Sequence, residues 1–137
     1  MKNKGFTLIE MLVTLIIVGI LTTIALPVYT DHVRRSQATE GVLALSDFRV
    51  KLEQHFQDNN TYEGACGTSG LAKIPTDLKY FTISCEELSK TGYSLKATSK
   101  DFTYLVDELN NKETPSSPNN WKTSENCWIV SKDGQCR

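Results

Sequence analysis

Residues 5–27 read GFTLIEMLVTLIIVGILTTIALP, an apolar run headed by one carboxylate, Glu10. From position 11 to position 30 no residue is charged, and the next charge is Asp31. That is the length a helix needs to cross a hydrocarbon core of about 30 Å. Only Met1, Lys2, Asn3, Lys4 and Gly5 precede Phe6, a short basic leader that the positive-inside rule keeps cytoplasmic while the rest of the chain is exported. A carboxylate inside such a run is costly unless it finds a partner.

Working outward, 137 residues with 39% hydrophobic content suffice for this segment plus one domain with a modest core, and argue against a two-domain enzyme. A net charge of -1 and a pI of about 6.1 exclude a global basic field for nucleic acid or anionic lipid, so any such binding is local. A cleaved secretory signal fits poorly: the small-residue candidates, Thr22 to Ala25, lie inside the run, and the apolar stretch continues past them. A plain single-span anchor leaves Glu10 without a purpose.

The basic leader, then Gly5-Phe6-Thr7-Leu8-Ile9-Glu10, then a long apolar helix, resembles the class III signal of type IV prepilins. The resemblance covers residues 1 to about 57 closely, Pro27 and Tyr29 included, and the later domain in outline, similar both to minor pilins of the PilE group and to major pilins. It implies cleavage between Gly5 and Phe6 by a prepilin peptidase, removing residues 1–5, and N-methylation of Phe6. It also implies a register role for Glu10, paired with the Phe6 amine of a neighbouring subunit. Gly19 and Pro27 weaken the helix from within, Pro27 by lacking an amide donor and Gly19 by about 1 kcal/mol relative to alanine. By resemblance, that weakening lets a filament stretch.

Val42, Leu45, Phe48, Leu52 and Phe56 recur at three- and four-residue steps, so the helix continues outside the membrane with one apolar face. Arg34, Arg35, Glu40, Arg49, Lys51 and Glu53 take the opposite face. The expected organisation is a leader over 1–5, a helix over 6–57 of which 6–30 lies in the membrane or filament core, and a globular head over 58–137. Such a helix is roughly 78 Å long at about 1.5 Å per residue. Asp58 to Tyr62 reads as its turn, and Gly64 to Pro75 as an irregular connection containing Gly67 and Gly70.

Tyr80–Cys85, Tyr93–Ser99 and Phe102–Asp107 read as strands, with a fourth expected at Cys127–Ser131 and a long exposed loop over Asn110–Asn120. Strands at hairpin spacing after one long helix predict an α+β fold, an antiparallel sheet of about four strands laid on the helix, as in the type IV pilin fold. Cys66, Cys85, Cys127 and Cys136 form no C-x-x-C pair, and in an exported head they should be disulfides. Of the three pairings, Cys66–Cys85 with Cys127–Cys136 closes two local loops, and the second resembles the C-terminal disulfide loop of many pilins.

No nucleophile, base and orienter set is present around His32 or His55, and no phosphate-cradling or metal-ligand spacing, so no enzyme, metal or cofactor is expected. Trp121, Lys122 and Lys132 make a candidate DNA or surface contact like that of competence pilins, although Glu125 and Asp133 interleave with them. The expected partners are other pilin subunits, the prepilin peptidase, the inner-membrane pilus assembly machinery, the membrane before assembly, and DNA. The expected course runs from a single-pass inner-membrane precursor to a surface pilus serving adhesion, twitching motility or DNA uptake. A DNA-receptor pilin and a pseudopilin of type II secretion are the alternatives; the four cysteines argue against the pseudopilin.

Overall fold

The computed structural model describes residues 5–67 and 72–137. Residues 1–4, part of the expected leader, and the stretch 68–71, which includes Gly70 of the expected connection, lie outside the described residues. The chain forms two compact units, divided after Arg34, that share the long helix α1.

Helix α1 spans Leu8–Asn59 and includes Pro27. It starts and ends two residues later than the 6–57 expected from sequence. Its N-terminus is a capping box: Thr7 N–H and Oγ1–H both donate to Glu10 Oε2 at 2.9 Å, and Glu10 N–H donates to Thr7 Oγ1 at 3.3 Å. A threonine three residues before a glutamate satisfies orphan amides reciprocally, which places the boundary at Leu8 rather than Phe6. At the other end Asn60 takes a left-handed φ of 55° and its N–H donates to Phe56 O at 2.7 Å, a conformation asparagine tolerates better than most residues.

In the N-terminal unit the residues of α1 from Leu8 to Thr30 are exposed, leucine, isoleucine and valine included. This is the part of the helix long and apolar enough to cross a membrane. In the second unit α1 buries Ala38, Gly41, Val42, Leu45, Phe48 and Leu52, one stripe at helical spacing.

That stripe meets a four-stranded antiparallel meander in the order β1-β2-β3-β4, with β1 Thr82–Leu88, β2 Tyr93–Thr98, β3 Thr103–Asp107 and β4 Lys112–Ser116. Strand alternation sends Ile83, Tyr93, Leu95, Ala97, Tyr104, Val106 and Thr114 inward. The fold is the α+β arrangement of one long helix on an antiparallel sheet.

Two expectations need correction. β1 runs to Leu88 rather than ending at Cys85, because the register shifts between Cys85 and Glu87. Glu86 points outward there, its Oε2 lying 3.8 Å from Lys96 Nζ, and an edge strand accommodates such a bulge and such charges. The fourth strand is Lys112–Ser116, inside the supposed loop, and not Cys127–Ser131. Pro115 signals a loop in sequence, yet an edge strand has positions where no donor is needed. Trp128, Ile129 and Val130 are buried consecutively, so they do not alternate as a half-exposed strand would. They cross the core as an irregular segment, joined to the chain end by an isolated bridge from Ile129 to Cys136 and by backbone hydrogen bonds between Trp128 and Arg137 and from Val130 N–H to Gln135 O.

Candidate functional site

Thr82, Thr98, Thr103 and Ser116 pair across the four strands and mark one end of the sheet. Just beyond that row lie three segments: Lys79-Tyr80-Phe81 entering β1, Lys100-Asp101-Phe102 in the β2–β3 turn, and Trp121-Lys122 after β4. Their aromatic rings gather. Phe81 lies 6.5 Å from Phe102 and 5.8 Å from Tyr104 between centroids, and Trp121 meets Phe102 edge-on at 5.2 Å. Phe81 and Phe102 are buried, while Lys79, Lys100 and Lys122 are exposed. A buried aromatic cluster thus draws three lysine-bearing segments to one end of the head.

Lys122 runs alongside the turn at Gly134, where a Cβ would come within 2.7 Å of its Cδ, so glycine (φ 86°) leaves room for the lysine stem. Lys132 is exposed on the same turn, and Arg35 Nη2 donates to Gln135 Oε1 at 3.4 Å. Asp77, Asp101 and Asp133 interleave with these cations. Trp121 is half-buried against Phe102 instead of standing free as a stacking platform. Trp128 is 1% exposed; its indole N–H donates to Leu105 O at 2.8 Å and Lys112 Nζ lies 4.6 Å above its ring.

The cysteines are joined Cys66–Cys85 and Cys127–Cys136, with Cα–Cα separations of 6.4 and 5.6 Å. The second loop is pinned to β4 by Thr114, whose Oγ1–H donates to Cys127 O at 2.8 Å and whose oxygen accepts Ile129 N–H at 2.9 Å. Tyr104 O–H donates to Ile129 O at 2.7 Å, and burial pushes that phenol above its ordinary pKa.

At the opposite end of the sheet, Glu53 of α1 accepts two phenols, Tyr93 O–H at 2.8 Å and Tyr62 O–H at 2.9 Å. Arg49 Nε–H donates to Tyr93 Oη at 3.1 Å and Arg49 Nη1–H to Asn110 Oδ1 at 3.0 Å. Burial, then the bond to Glu53 and its charge, push Tyr62 up to about 12; burial and Glu53 also raise Tyr93, with Arg49 opposing. Nearer the lysine end, Glu40 of α1 accepts the backbone N–H of Lys79 and of Tyr80, each at 2.9 Å.

Glu40, Glu53, Lys79 and Lys100 did not stand out as site residues in sequence, where the two glutamates read as a solvated helix face. The available signal was the recurrence of a lysine within two residues of an aromatic at Phe81, Phe102 and Trp121. Among the N-terminal positions singled out, Gly5 and Phe6 precede the helix, Gly19 lies in it with open space at its missing Cβ, and Pro27 lies within it. Among the described residues no group of three or more His, Cys, Asp and Glu is placed to hold a metal ion.

Comparison with known proteins bears on both units. Residues 1–26 match the prokaryotic N-terminal methylation motif, and residues 27–113 match the family described as type IV minor pilin ComP, DNA uptake sequence receptor. The chain is 41% identical over 108 residues to a type IV major fimbrial protein FimA of Dichelobacter nodosus, covering 70% of this chain and 66% of that protein. It is 34% identical over 77 residues to the type IV major pilin protein PilE1 of Neisseria gonorrhoeae, covering 56% of this chain and 47% of that protein. Less than two thirds of the length of these relatives is therefore matched. The fold is similar to that of the Neisseria meningitidis non-core minor pilin PilV, with a TM-score of 0.55 at 15% identity over 65% of this chain and 97% of that one. An N-terminal methylation motif ahead of a long apolar helix, and a matched stretch that runs from α1 through β3 to the start of β4, lead to one conclusion: the chain is a type IV pilin and belongs to the ComP minor-pilin family.

Proposed function

We propose that this pilin is a minor subunit whose head captures DNA for uptake. It is made as a single-pass inner-membrane prepilin, cut between Gly5 and Phe6 by a prepilin peptidase, and methylated at Phe6. The inner-membrane pilus machinery then polymerises it with other pilin subunits into a surface filament, with Glu10 setting register against a neighbour's Phe6 amine.

The observation that carries the DNA reading is the lysine end of the head. Lys79 and Lys100 lie within the stretch matched to the DNA-uptake receptor family, and Lys122 and Lys132 join them from beyond it. Lysines neutralise phosphates and release counterions, which supplies affinity without a global positive charge. With the rings of Phe81, Phe102 and Trp121 turned against one another, the contact available is to phosphate rather than to stacked bases.

The test is a gel shift with the full chain in detergent, using labelled short duplexes from the source bacterium's chromosome competed by DNA of an unrelated bacterium. The expected result is binding that weakens steeply as salt rises and that the unrelated DNA competes about equally, since phosphate contacts carry no sequence information. Lys79→Ala, Lys100→Ala and Lys122→Ala should each weaken it and each reduce the salt slope by about 1. No shift even at low salt overturns the reading.

A second reading, a major subunit for adhesion or twitching motility, draws on the fimbrial relative that is 41% identical. The protein's share of a sheared pilus preparation separates the two. The pseudopilin alternative predicts that deletion blocks exoprotein secretion while pili persist.

A further inference from the structure

Lys79 and Tyr80 close the loop that leads from α1 into β1, and a carboxylate holds them there. The backbone N–H of Lys79 donates to Glu40 Oε1 and that of Tyr80 to Glu40 Oε2, both at 2.9 Å. These amides precede β1, and Glu40 satisfies both donors across a sequence gap of 39 and 40 residues. The neighbouring pair reinforces the grip. Gly41 has no Cβ, which lets the Phe81 ring approach to where a Cβ would stand 2.7 Å from its Cε1 and Cζ. Carboxylate on two amides and ring on glycine hold residues 79–81 against α1 where they lead into β1. The Tyr80 ring in turn carries Lys79 Nζ 4.8 Å from its centroid.

We infer that Glu40 is a positioning residue for the polyanion-binding end of the head: a negative charge that binding of a negatively charged ligand requires. This rests on the DNA reading proposed above. Electrostatics alone has the opposite consequence, because removing a carboxylate near lysines raises the local potential and strengthens association with DNA. A positioning role and a purely electrostatic one therefore differ in sign.

The experiment uses the full chain in detergent and the same labelled duplexes. Glu40→Ala should bind about fivefold more weakly, since losing both hydrogen bonds frees the loop that orients Lys79. Glu40→Gln, which keeps one acceptor oxygen, should fall between it and the parent. Asp77→Asn, removing an exposed carboxylate two residues before Lys79, should bind equally or more tightly. Lys79→Ala should weaken the parent yet have little effect in the Glu40→Ala background, because a lysine no longer held in place has little left to lose. Thermal melts establish that each variant is folded; should Glu40→Ala not fold, Glu40→Gln and its pairing with Lys79→Ala are read the same way.

If the parent binds and loss of Glu40 leaves affinity equal or higher, or if the Lys79→Ala effect persists at full size, the positioning role is overturned while the DNA reading stands. If the parent does not bind, both fall.

Discussion

Gly41 of α1 and Phe81 of the segment entering β1 are packed so closely that a Cβ on Gly41 would stand 2.7 Å from the ring. The ring cannot back away easily, since it is 4% exposed and stacks on Tyr104 at 5.8 Å. Gly41→Ala is therefore expected to destabilise the head by about 1–2 kcal/mol, the overpacking cost exceeding the gain of about 1 kcal/mol in helix propensity. Urea unfolding measures it; an unchanged or higher midpoint would show that the ring yields.

Stability at high pH should follow the phenols. Tyr62 is raised to about 12 and Tyr93 and Tyr104 are raised as well, so the folded head retains protons that the unfolded chain gives up near pH 10. The sign follows: these groups contribute fully below about pH 10, and the contribution is lost as pH climbs through the folded-state values. Urea midpoints should decline from about pH 10 towards 12. In the Tyr62→Phe, Tyr93→Phe double variant that decline should be smaller.

Thr114 is fully buried and serves both Cys127 O and Ile129 N–H. Thr114→Val keeps the shape and leaves both groups without their partner, at a cost of about 1–3 kcal/mol. Faster amide exchange at Ile129, together with a lower melting temperature, is the expected result; exchange at the parent rate would mean that Thr114 does not hold the loop.

Glu10→Ala tests the proposed assembly role. Removal of residues 1–5 should proceed normally, while the protein's abundance in sheared pili falls by about tenfold or more, the effect of losing about 1.4 kcal/mol of subunit pairing. Intact-mass analysis reports both the leader and Phe6 methylation. Normal incorporation into pili would dispose of the register role.

Much of this fold could be read directly, because its signals are periodic. The three- and four-residue spacing from Val42 to Leu52 located the buried stripe, and β-branched and aromatic residues between turn signals located the central strands, expected at Tyr93–Ser99 and Phe102–Asp107 and found at Tyr93–Thr98 and Thr103–Asp107. The failures were at the edges. Lys112–Ser116 carries a proline and charges that an edge strand permits and a central one would not, and Trp128–Val130 is apolar because it is buried as coil. The roles of Glu40 and Glu53 depend on partners 39 and 40 residues away in the chain for Glu40, and 9 and 40 for Glu53; no local pattern encodes such pairings.

The Cys66–Cys85 bond has a consequence for survival among proteases. Lys73 and Lys79 are exposed basic residues between the two cysteines, and each is a natural point of attack for a trypsin-like enzyme. A cut at either leaves the fragments covalently joined through the bridge, with the downstream piece still part of the sheet. A nicked head would migrate as one band without reductant and as two with it, and in the proposed filament a single cleavage would not release the downstream piece.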